Sequence, residues 1–234
     1  MCPIIKNYDE GFLKLPESYQ TDGSAWLDPE PKYPEDYIDP QDYRPALFLS
    51  TKRALLNFSG ETSAFWLEHL PEMQTLEDLS IGGNSLSQEL VDLLGQLPRL
   101  KKLVLYKVIA GRFDSFSELK NLTHLSLAYT KSSADLAPIL ANENLEALQL
   151  AMPQNMGCID YSSLSNLKYL MLASCAESRE VKLQDLENVS VLSELEYLMI
   201  TNVKVENRSL EFLKDMKNLK YVTVEKPNRW SIGS

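Results

Sequence analysis

The chain of 234 residues has little of several residue types on which chemistry usually depends: three cysteines, two histidines and nine glycines. Cys2, Cys158 and Cys175 form no CxxC and cannot all pair with one another. That argues against a disulfide framework and favours a reduced, cytoplasmic setting. No His/Cys cluster has zinc-ligand spacing. Gly82-Gly83-Asn84 reads as a turn after a strand, without the spaced glycines or the lysine of a phosphate loop. Bases are outnumbered, 23 against 33 acids, for a net charge of −10, so a phosphate-tracking nucleic-acid surface is not expected. No apolar stretch of 18 residues exists, and the N-terminus lacks a basic region followed by an apolar run; neither a membrane helix nor a secretory signal is expected. The four Asn-x-Ser/Thr sequons, at Asn57, Asn121, Asn188 and Asn207, then read as accidents of composition.

With 44% hydrophobic residues the chain can bury a sizeable core without metal or disulfide, and no cofactor is implied. Most of its excess charge lies at one end. Residues 1–46 hold ten acids and four bases, together with seven of the twelve prolines and five of the eleven tyrosines. Proline removes backbone donors and disfavours helix at the preceding residue, so this leader should be extended or irregular. Phe12, Leu13, Leu15, Trp26, Leu27 and Ile38 are more apolar than a solvated tail requires, which predicts a partly ordered cap wrapped over the exposed end of the remainder.

What the chain does have is a pattern repeated seven times. LxxLxL, with Ile or Val at some positions, starts at Leu76, Leu100, Leu122, Leu145, Leu167, Leu195 and Leu219, at intervals of 24, 22, 23, 22, 28 and 24 residues. Each strand pattern is preceded by apolar residues at a spacing of three, as in Leu94-Leu97-Leu100 and Leu213-Met216-Leu219, which suits a 3₁₀ turn or short helix. Such units cannot bury an apolar face alone and must stack. The predicted organisation is an acidic leader over residues 1–46, a capping hairpin or degenerate repeat over 47–64, seven repeats over 65–227 and a tail over 228–234. In the hairpin, Ala46-Leu47-Phe48-Leu49 pairs with Ala54–Phe58, and Leu56 falls 23 residues before Leu79.

These residues resemble the leucine-rich-repeat family, in its short class of about 22–24 residues. The resemblance implies an α/β fold, a right-handed β/α solenoid shaped as a horseshoe, with a parallel concave sheet and short 3₁₀ or α segments on the convex side. The family's asparagine position falls at Asn84, Val108, Thr130, Pro153, Cys175, Val203 and Pro227, with the consensus residue only at Asn84. Cys175 in that inward column reads as a packing residue.

Strand side chains alternate, so residues between the leucines should line the concave face. They give Lys102, His124 and Tyr106 toward the first half and Gln149 at the centre. The second half carries a tyrosine column, Tyr169-Tyr197-Tyr221, beside Met171 and Met199. Tyrosine is enriched at interface hot spots and methionine adapts to irregular partners; the same column would equally stack as a ladder along the sheet. The expected function is non-catalytic binding of a protein partner by a monomer, with no nucleic acid and no membrane. Two alternatives stay open: an inhibitor or immunity-type protein whose acidic leader meets a basic enzyme, and a regulatory subunit of an enzyme such as a phosphatase. His69 reads as a surface imidazole, and His124 has no carboxylate near it on neighbouring strands, which argues against catalysis.

Overall fold

The computed structural model describes residues 4–7, 45–58, 62–83, 86–106, 111–128, 136–152, 159–174, 183–201 and 207–225. Among the described residues nine strands form one sheet: β1 (Ile4–Asn7), β2 (Arg53–Phe58), β3 (Asp78–Gly83), β4 (Lys102–Tyr106), β5 (His124–Ala128), β6 (Ala147–Met152), β7 (Tyr169–Ser174), β8 (Tyr197–Thr201) and β9 (Tyr221–Glu225). Their order is β1-β9-β8-β7-β6-β5-β4-β3-β2, and every pairing is parallel. Each of β3 to β9 begins two residues after the first leucine of a repeat, where the period-two pattern begins.

The register converts that pattern into ladders. Leu79, Leu103, Leu125, Leu148, Leu170, Leu198 and Val222 lie opposite one another in sequence, and all are buried. The leucines that open the repeats, from Leu76 to Leu219, are buried beside them in the same core. On the convex side the return path runs through short helices, Gln88–Leu94 and Ala137–Leu140, and 3₁₀ segments, Asp114–Glu118, Leu183–Val191 and Asn207–Asp215. A unit of this length leaves room for only one or two turns of helix on the way back.

Two polar columns tie coil to coil. The carbonyl oxygen just before each strand accepts two backbone N–H bonds from the next coil: Lys101 O from Thr123 and His124, Thr123 O from Glu146 and Ala147, and Glu146 O from Lys168 and Tyr169. The family-type asparagine column after the strands, including Cys175, lies outside the described residues. A different column does its work on the convex side, at the position before the first leucine. The side-chain amides of Asn121, Asn144, Asn166 and Asn218 donate to carbonyls of Pro98, Lys120, Glu143 and Ser193, at 2.7 to 2.9 Å. Each bond reaches back one coil. The Asn121 amide is therefore structural.

The β2 end departs from expectation in two ways. Residues Pro45–Ser50 form a helix, not the first arm of a hairpin. Proline at the first helical position has a fixed φ that suits a helix start, and a parallel edge strand needs a crossover, not a tight turn. Phe48 is buried, with its ring stacked nearly parallel to that of Trp66 at 6.0 Å, and edge-on to Phe65 at 6.2 Å. The register places Leu56 opposite Ile81 and Ala54 opposite Leu79. The offset to β3 is thus two residues more than the 23 inferred from sequence, and it lets Ala54, Leu56 and Phe58 all face inward. His69 belongs to the same aromatic cap. Its side chain is only 17% exposed, with Nδ1 2.9 Å from Glu72 Oε1 and its ring 4.5 Å from that of Phe65; it is not a surface imidazole.

The leader contributes one described element. Its residues Ile4–Asn7 add a parallel strand to β9, with Ile4 opposite Tyr221 and Asn7 opposite Val224. That edge is the one farthest from Pro45, where the described chain resumes. Residues 8–44, the segment Ala176–Lys182 and the tail from residue 226 lie outside the described residues.

Candidate functional site: the concave sheet face

Parallel register sets the residues between the leucines in three columns on one face. The first runs Asp78, Lys102, His124, Ala147, Tyr169, Tyr197, Tyr221. The second runs Ser80, Val104, Ser126, Gln149, Met171, Met199, Thr223. The third includes Tyr106, Ala128, Ala151, Ala173 and Thr201. Eight of the nine residues singled out from the sequence therefore share this face; the ninth, Tyr106, is in register with them at the end of β4, and its side chain lies outside the described set.

Over the second half of the strip these residues form an apolar cluster of their own, separated from the main core by the sheet. Ala147, Ala151, Tyr169, Met171, Ala173 and Tyr197 are buried, with Met199 and Tyr221 packed against them. Tyr197 stacks on Tyr221 with ring centroids 5.0 Å apart and planes 7° from parallel, and Tyr169 lies 6.5 Å from Tyr197 at 34°. The tyrosine column is thus a ladder along the sheet, as the cross-strand distance allows. The alanines, small residues beside large ones, make the floor on which the rings lie.

The centre of the strip is polar and buried. Ser126 and Gln149 lie directly opposite each other on β5 and β6, with relative exposures of 0% and 1%. Ser126 Oγ and Gln149 Nε2 have no hydrogen-bond partner among the described residues. Buried polar atoms are nearly always paired, because an unmade bond costs the full desolvation of the group. Sequence reading named Gln149 but left Ser126 aside; its place in the same column was the available signal.

Toward β3 and β4 the strip is half-buried, with Lys102 and His124 on adjacent strands and His124 Nδ1 2.9 Å from Thr123 Oγ1. Asp78, Lys102, His124, Tyr169 and Tyr197 are all engaged in hydrogen bonds, ion pairs or ring contacts. One edge of the face carries alternating charge. Glu77 Oε2 lies 2.6 Å from Lys101 Nζ with Lys52 at 3.7 Å from Oε1, Glu146 pairs with Lys168 at 3.2 Å, and Glu196 with Lys220 at 2.6 Å. The hydrogen bond from Lys101, with its charge, holds the Glu77 carboxyl below the usual carboxylate range. Among the described residues no group of three His, Cys, Asp or Glu side chains could hold a metal ion, and no helix is long and apolar enough to cross a membrane.

Seven stacked strands in one register, each returned by a short convex segment, match known architecture. An internalin from Listeria monocytogenes superposes over 66% of this chain with a TM-score of 0.51 at 22% sequence identity. The chain has the fold of a leucine-rich-repeat solenoid. Other structures similar to this solenoid are internalin C2 from Listeria monocytogenes, at 19% identity over 67% of the chain with a TM-score of 0.47, and a Leptospira interrogans LRR protein, at 21% over 68% with a TM-score of 0.48. The solenoid spans 43% of the first internalin, 74% of internalin C2 and 39% of the Leptospira protein. No protein-family model matches the sequence, and no curated protein matches it.

Proposed function

We propose that this solenoid is a non-catalytic protein-binding module, an adaptor or scaffold that engages its partner through the concave strand face. One observation carries the reading: a tyrosine–methionine cluster, Tyr169, Met171, Tyr197, Met199 and Tyr221, lies on the open side of the sheet and not in the core. Globular proteins place few large apolar groups together on the solvent side of a sheet unless something covers them. Ser126 and Gln149 beside that cluster add hydrogen-bonding groups that need a partner, and Lys102 and His124 supply polar contacts at the other half. The strip from β3 to β9 is roughly 30 Å long at about 4.8 Å per strand, and a standard interface needs about 800 Å² per partner. The strip with its charged rim is of that order. Three cysteines without paired spacing support an intracellular partner.

The test is affinity purification from the source cells with three full-length baits: the wild type, Met199→Glu/Tyr221→Glu on the concave face, and Glu118→Lys/Lys120→Glu on the convex face. All three should melt cooperatively. A protein retained by the wild type and the convex variant but lost by the concave variant supports the reading. A protein lost only by the convex variant refutes it.

A further inference from the structure

The concave face is buried although every described member of its cluster is a strand residue. Side chains on the solvent side of an open sheet keep substantial exposure unless another segment lies over them, yet Gln149 is 1% exposed and Met171 4%. The burial is concentrated over β5 to β8, and it relaxes toward both edges, where Asp78, Ser80, Tyr221 and Thr223 are only half-buried. The convex side is different: Glu118, Lys120, Glu143, Glu187, Lys214 and Lys217 are all exposed there. Whatever covers the molecule covers one face only.

The topology supplies the occupant. β1 ends at Asn7 on the β9 edge, and the described chain resumes at Pro45 beside β2 on the opposite edge. The 37 residues from 8 to 44 must cross from one edge to the other, a distance of roughly 38 Å for eight strand spacings of about 4.8 Å. At about 3.3 Å per residue an extended segment of that length reaches roughly 120 Å, so length does not limit the route. Resting on the reading of the concave face as the binding surface, we propose that residues 8–44 of the same chain occupy that face, so that an external partner binds by displacing them. The segment is suited to it. With the adjoining residues it holds seven prolines, a composition that disfavours helix and suits an extended path across a sheet. Phe12, Leu13, Leu15, Trp26, Leu27 and Ile38 supply apolar side chains for the tyrosine–methionine floor. The partner's chemistry follows from its competitor: an extended, proline-containing, acidic peptide segment with spaced aromatic and aliphatic residues.

The experiment places the photo-crosslinking residue p-benzoylphenylalanine at position 199 of the full chain. Irradiation should give an adduct of monomer mass whose peptide map joins position 199 to a residue between 8 and 44. An adduct of twice that mass, which would make a second copy the occupant, overturns the proposal, as does a link to any other segment or none at all. Hydroxyl-radical footprinting of the unmodified chain guards against a misfolded variant. Met171 should lose most of the reactivity it has in the urea-unfolded chain, at all protein concentrations; equal rates, or protection that fades on dilution, overturn the proposal. Neither measurement needs a partner. A link to 8–44 without concave-dependent capture therefore sinks only the binding function, and capture without the link sinks only this inference.

Discussion

Replacing Gln149 by Met should stabilise the free chain. Among the described residues the amide nitrogen of Gln149 has no hydrogen-bond partner, and the residue is 1% exposed, so folding strips water from a donor to which these residues return nothing. That uncompensated desolvation is about 1–3 kcal/mol. Methionine has nearly the same length and shape, no donor, and a thioether suited to an irregular apolar site already holding Met171 and Met199. The exchange keeps volume and removes the penalty. For a domain of this size about 1 kcal/mol corresponds to roughly 2–4 °C in melting temperature, so the variant should melt a few degrees higher. Urea denaturation should show a raised midpoint with an unchanged slope, since the surface exposed on unfolding is the same. Ser126→Ala acts on the facing hydroxyl, and as a neighbour its effect should not simply add to that of Gln149→Met. A Gln149→Met chain that is less stable than the wild type would refute the reasoning, because it would mean that the amide is bonded in the folded state. Stability gained here should also be affinity lost: if Gln149 serves a partner, the more stable variant binds it less well.

Three further perturbations test the scaffold. A Cβ at Gly95 would lie 2.7 Å from the carbonyl oxygen of Ser115 in the next coil, so Gly95→Ala must force two backbones apart and should cost about 1–3 kcal/mol, read as a lowered urea midpoint. Asn166→Ala removes the 2.9 Å bond to the Glu143 carbonyl and should cost about 0.5–1.5 kcal/mol, whereas Asn166→Asp, which lacks the donor, should do no better; rescue by Asp would refute the donor assignment. Glu77 has a folded-state pKa below its ordinary value. The stability it contributes is therefore fully present above the ordinary carboxylate range and lost as pH falls through the lowered one. The melting difference between wild type and Glu77→Gln should vanish in acid and shrink in molar salt; a difference that persists at low pH would show that the ion pairs with Lys101 and Lys52 are not its origin.

The parts of the fold that local periodicity determines were readable in the sequence. The seven leucine patterns placed β3 to β9, because a period of two between leucines is repeated at each coil and has one way to stack. The run from Ala46 to Leu49 was not readable as helix: four apolar residues fit a strand or a helical turn equally, and the choice was made by Phe48 packing on Trp66 and Phe65. β1 was hidden for another reason. Its four residues carry no distinctive pattern, and their partner, β9, lies more than 200 residues away in sequence. The asparagine column was visible at Asn121, Asn144, Asn166 and Asn218, but the family pattern directed attention to the position after the strand. At the candidate site, alternation showed which residues share a face. That the face is buried, and that Ser126 and Gln149 are buried with unpaired atoms, depends on what lies over the sheet, which no local pattern encodes.

The short strand at the β9 edge has a consequence for assembly. The two ends of a parallel sheet are unlike and mutually complementary, so a solenoid with both ends bare can add copies head to tail without closing, and the product is a filament. Here the aromatic cap of Phe48, Phe65 and Trp66 sits at one end, and the chain's own first residues hydrogen-bond along the other. β1 takes the pairing on β9 that a neighbouring molecule would otherwise provide, and leaves in its place a four-residue edge, a poorer template for a further strand.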